Sequence, residues 1–166
     1  MNKLKNISKE AIPRALERAE RYRLMKEPFV SESICLDILE VEPENQEALI
    51  MLLLSLSEQF KDRLMPVYNK SLEILERITD GYKKIFYEGI IYERRAFSHF
   101  HKGAYGSGQQ AFVWFQKAMA TYENAIELRP SGNDDAILRW NNCVRTIERN
   151  HEICPPPNGP DEQMLE

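Results

Sequence analysis

Apolar residues recur at helical spacing through nearly every stretch of this chain, and proline, glycine or a capping residue breaks each run. From Ala11 the positions Ala11, Ile12, Ala15, Leu16, Ala19 and Tyr22 make a stripe at i, i+3 and i+4, predicting a first helix that ends near Met25. Pro28 opens a second, with Ile34, Ile38 and Val41 on one side, and Pro43 stops it because proline has no N–H to continue the ladder. Asn45 is placed to cap a third helix over 46–63, whose LIMLLLSLS core is apolar on nearly every side and should be enclosed by neighbours. Further helices are expected over 66–79, 82–102, 109–129 and 134–150, with HKGAYGSGQQ as a glycine-rich connector between the fifth and sixth. No segment reads as a strand. The predicted fold class is all-α, antiparallel helix hairpins on short connections, about seven helices. CPPPNGPDEQMLE cannot start as helix, so 151–166 is expected to be a Pro-rich extended or disordered tail.

Helix pairs that end in proline invite a test for internal repetition with a period of about 34 residues. In AMATYENAIELRP, Ala118, Tyr122, Ala125 and Pro130 stand at the offsets Ala-x3-aromatic-x2-Ala-x4-Pro, and here the chain resembles the tetratricopeptide repeat family. Gly89 and Tyr92 in YEGIIYE resemble the Gly-x2-Tyr of that repeat's first helix, where a small residue lets paired helices approach closely. SESICLDILEVEP is a weaker copy, with Ser31, Cys35, Ile38 and Pro43 at the same offsets. Pro43 and Pro130 are 87 residues apart, more than two periods, and most of the excess lengthens the third pair around the glycine loop. The resemblance implies a short right-handed superhelix in a single domain over 1–150. Its hairpins would cover about 11–43, 45–79 and 82–130, with 134–150 as a capping helix. The strings ESICLDIL, GIIYERRA and DDAILRWNNC are also similar to those of a bacterial tetratricopeptide-like group, which implies the fold and no particular activity.

In that family the first helix of each pair lines the concave side. The resemblance therefore implies a protein-interaction module that holds a peptide or partner helix, with Arg23, Leu54, Phe86, Ile90, Arg94, Asn141 and Arg145 as candidate binding residues. The expected ligand is a mixed apolar and acidic segment, anchored at Phe86 and Ile90 and met by the arginines. Some members clamp a terminal carboxylate with Lys, Arg and Asn. Asn141 and Arg145 resemble half of such a clamp, while Glu20 and Glu58 at neighbouring positions oppose the rest.

Charge narrows the partners. A net charge of −4 excludes a generally basic nucleic-acid binder, so no nucleic acid is expected. The charge is nevertheless segregated, net +5 over residues 1–26 and net −8 over 27–60. Such a polarised first repeat either draws its own helices together or offers a docking surface, and on the second reading the chain self-associates as a homo-oligomeric structural unit. No window approaches the roughly 20 apolar residues of a membrane span, so no membrane partner is expected. The opening residues lack the apolar core of a secretory signal, which gives an expected cytoplasmic location with Cys35, Cys143 and Cys154 as reduced thiols.

Enzyme signatures are weak. GAYGSG has the glycines of a phosphate loop but follows a helix and lacks the Lys-Ser/Thr; His99 and His101 point apart on a helix; Cys143, His151 and Cys154 do not form a zinc pattern. No catalytic residue, cofactor or metal is expected, and the chain reads as a non-enzyme. The alternative is an all-helical enzyme or small-ligand-binding protein using an aromatic-lined cleft near the 103–108 glycine loop, where Tyr105 and Trp114 would form an exposed aromatic lip.

Overall fold

A computed structural model describes residues 2–157 and is helical throughout its ordered elements. A 3-10 turn, Lys9–Ala11, leads into α1 (Ile12–Leu24), followed by α2 (Pro28–Val41), α3 (Gln46–Ser57), α4 (Phe60–Glu76), α5 (Gly81–Lys102), α6 (Ser107–Leu128) and α7 (Asp135–Arg149). The seven helices divide into two compact units, Met1–Thr79 and Asp80–Glu166.

In unit one, α1 packs on α2, α2 on α3 and α3 on α4, while α1 also touches α3. Helix α3 is thus surrounded, as its composition requires: Ala48, Leu49, Leu52, Leu53 and Leu56 are completely buried. Each such leucine contributes roughly 1.5–3 kcal/mol by leaving water. Asn45 caps α3 by accepting from Ala48 N at 2.9 Å. The far end of the hairpin is tied to this cap, because Gln46 Nε2 donates to Arg77 O at 3.2 Å and Gln46 Oε1 accepts from Thr79 N at 2.9 Å.

The α3–α4 junction departs from the expected boundaries of 63 and 66. The chain turns at Glu58–Gln59, α4 begins at Phe60, and Arg63 (φ −141°, ψ 47°) kinks it. Pro66 explains the kink: it falls in the first turn after Arg63, where a missing N–H costs no intrahelical bond. A polar chain, buried at its serine end and open at Lys70, ties three helices there. Ser55 Oγ donates to Ser31 Oγ at 2.8 Å, Gln59 Nε2 donates to Glu32 at 2.7 Å, and Lys70 pairs with Glu32 at 3.1 Å.

Unit two is built on two 22-residue helices, α5 and α6, packed along each other, with α7 against α6. Asp80 caps α5 through Lys83 N at 2.8 Å. Gly103 (φ 60°) ends α5 and Gly106 (φ 76°) begins α6, both left-handed, so this part of the glycine segment is a turn that needs glycine rather than a loose connector. Gly108 has another role. It lies inside α6 against the carbonyl of Glu152, and any Cβ there would collide with that backbone. Residues 151–153 form a turn, and Ile153 (3% exposed) and Pro156 are buried, so the start of the proline-rich segment packs into the fold; 158–166 lie outside the described residues.

Candidate functional site

The residues matched to the repeat form the tightest contact in unit two. Gly89 of α5 faces the ring of Tyr122 on α6, so closely that a Cβ at 89 would overlap it, and Ala118, Tyr122 and Ala125 are completely buried. One turn on from Gly89, Glu93 is 1% exposed and accepts the Tyr122 hydroxyl proton at 2.6 Å and Asn142 Nδ2–H at 3.1 Å. Arg139 Nε completes an ion pair at 3.1 Å, without hydrogen-bond alignment. Three helices therefore converge on one buried carboxylate. Burial, and then the Glu93 charge, push the Tyr122 hydroxyl far above the phenol range and raise the Cys143 thiol. Burial, the largest single influence, lowers the Arg139 guanidinium pKa, but Glu93, Tyr122 and Cys143 together leave the net shift upward. The carboxylate at its centre is closed to solvent while Arg139 and Asn142 reach the surface, an arrangement that suits fixing helix register rather than chemistry.

Buried cysteines are equally unreactive. Cys35 is completely buried and burial pushes its thiol up to about 12, leaving almost no thiolate at neutral pH. Among the described residues no three His, Cys, Asp or Glu side chains group to hold a metal ion, and no helix is long and apolar enough to cross a membrane.

The expected groove residues fare differently. Ile90 is 4% exposed and enclosed, so it is a core residue and not an open anchor; its spacing fits both roles, and only the packing separates them. Phe86 is half-buried, stacked on Tyr82 at 5.8 Å and tilted against Tyr122 at 6.0 Å. Arg94 and Asn141 are half-buried, and Arg145 is exposed. The aromatic lip is split. Tyr105 is fully exposed, but Trp114 is covered by the guanidinium of Arg95 at 3.9 Å and by Lys117 at 5.0 Å, so it presents charge rather than an apolar edge.

Unit one brings one of the expected face residues, Arg23, and its neighbours into an open site. Arg23 of α1 donates to Glu58, just past the end of α3, at 2.6 Å, their side chains 17% and 25% exposed, and Leu54 lies half-buried one turn before Glu58. This pairing withdraws Arg23 from the carboxylate-binding role expected of it. Beside it opens a cleft of about 600 Å³, walled by Lys26, Glu27, Phe29, Val30 and Asp62 with Arg23 and Glu58 at its back. Phe29 is 51% exposed, and the guanidinium of Arg63 stands 5.8 Å from its ring centre. Leu24 and Met25 are exposed in the adjoining turn, which makes the turn unusually apolar.

The turn itself is held open by backbone chemistry. Glu27 N donates to Tyr22 O at 2.9 Å and Lys26 N to Arg23 O at 3.0 Å, the paired bonds that close a helix end, and Lys26 takes the left-handed position (φ 64°) where glycine is usual. A lysine there costs about 1–2 kcal/mol of backbone strain. No sequence signal marks this: the turn lacks a glycine, and the sequence instead offers only Pro28 as the next helix start.

Comparison of the chain with family models, curated proteins and solved structures returns no match.

Proposed function

We propose that the chain is a protein-interaction module of the tetratricopeptide-like kind, and that unit one holds a peptide segment in the cleft at the α1–α2 turn. The contact of α1 with α3, the first helices of the first two hairpins, is compatible with the repeat arrangement. What carries the reading is the cleft: an open volume of about 600 Å³ with exposed Phe29 and Val30 on one wall and charged groups on the others. An aliphatic or aromatic side chain entering it would bury apolar area worth about 2 kcal/mol.

The charges choose the flank of that anchor. Arg23 and Glu58 neutralise each other, whereas Glu27, Asp62 and Lys26 have no ion-pair partner among the described residues. Glu27 and Asp62 stand as unpaired carboxylates on the cleft wall, balanced overall by Lys26 and by the Arg63 guanidinium over Phe29, and the favoured ligand sets a lysine or arginine against these two acids beside its apolar anchor. This reverses the acidic ligand expected when Arg23 is taken as free. Selection from a randomised peptide-display library on the immobilised full chain tests it. Enriched peptides should carry an apolar residue beside a basic one, and Phe29→Asp, shown folded by circular dichroism, should abolish the enrichment. No enrichment, or a motif that Phe29→Asp retains, would refute the cleft.

A further inference from the structure

The stretch ahead of α1 has the chemistry that this cleft favours. Residues 2–6 are exposed and adopt neither helix nor strand, and among them Leu4 is 93% exposed between Lys3 and Lys5. An aliphatic side chain so open finds no place in the core of its own unit.

Geometry decides which cleft it can enter. Ile7 packs against the cluster of Ile12, Ile38 and Ala48 and so fixes the arm at the start of α1. Three extended residues carry Leu4 at most about 10 Å from that anchor. The cleft begins at Arg23, eleven residues along α1 from Ile12, about 16 Å away at helical rise. Leu4 therefore falls short of the cleft in its own chain. We infer that Leu4 of one copy seats in the α1–α2 cleft of a second copy, with Lys3 and Lys5 facing Glu27 and Asp62. In this exchange each copy's arm enters the other's cleft, so that it closes as a two-fold dimer. The inference rests on the reading of the cleft as a peptide site.

Sedimentation equilibrium on the full chain is the test. A weak dimer is expected, with a dissociation constant on the order of 100 μM for so small a contact. Leu4→Asp and Phe29→Asp should each raise that constant at least tenfold, and the two variants mixed should form a 1:1 heterodimer tighter than either variant alone but weaker than the parent, since only one of the two arm–cleft contacts is intact in it. Lys3→Gln with Lys5→Gln should weaken association and remove its salt sensitivity. A chain that stays monomeric up to about 1 mM overturns the inference, as does Leu4→Asp associating like the parent. If library peptides still select the cleft in that case, the arm exchange alone has failed; if they do not, the cleft has failed with it.

Discussion

The two units put their polar groups to opposite uses. In unit two, Glu93 is shut away and held by Tyr122, Asn142 and Arg139, so three helices are locked to one point. In unit one, Glu27, Asp62 and Lys26 stand around an open cleft beside exposed Phe29, and the turn that carries them is strained at Lys26. A buried, satisfied carboxylate specifies structure, because removing any partner leaves a desolvated charge. An open, unsatisfied set leaves binding free energy available to a ligand. On that contrast, unit two is the rigid part and unit one the adaptable one.

The largest test of the contrast is Glu93→Ala. It leaves Arg139 and the Tyr122 hydroxyl without their acceptor, and should cost about 3 kcal/mol, the low end for breaking a buried pair since Arg139 is partly solvated. Region-resolved hydrogen exchange should place the loss in α5–α7. A loss spread equally over α1–α4 would break the division into a locked and an open unit.

Next comes Gly89→Leu, which drives a side chain into the Tyr122 ring and should cost on the order of 1–3 kcal/mol in urea unfolding. An unchanged midpoint would mean that α5 and α6 are not pinned at this contact.

Alkali should separate the units by slope. Tyr122, Cys143 and Cys35 are raised above ordinary values of 10.0, 9.0 and 9.0, so above those values the unfolded chain releases protons that the native state keeps. Stability therefore falls as pH rises, by about 1.4 kcal/mol per pH unit for each group. Unit two holds two of these groups, together with Tyr82, which burial also raises, and unit one holds one, so exchange protection in α5–α7 should decay more steeply than in α1–α4 between pH 10 and pH 11. Equal slopes would contradict the burial of Tyr122 and Cys143.

The smallest effect sharpens the other side. Lys26→Gly relieves the left-handed strain at some cost in unfolded-chain entropy, for a net gain of about 0.5–1 kcal/mol by thermal unfolding. A destabilised variant would show that Lys26 is held by more than its backbone.

What the sequence determined by itself was set by near neighbours. Proline, the Asn45 cap and the i, i+4 stripes fixed seven helices, close to their observed bounds except at the α3–α4 junction, and the uninterrupted apolarity of α3 fixed its enclosure. Gly89 and Tyr122 were legible too, because a small residue opposite an aromatic one at repeat spacing leaves few other packings. The tertiary structure alone decided that Ile90 is enclosed, that Arg23 is consumed by Glu58, and that Trp114 lies under cations. Glu93 had left a trace, an acid one turn from Gly89 on the contact side of α5, but its partners come from α6 and α7. Helical periodicity states which side chains share a face; which charge they meet across that face depends on residues dozens of positions away, and only the folded chain brings those together.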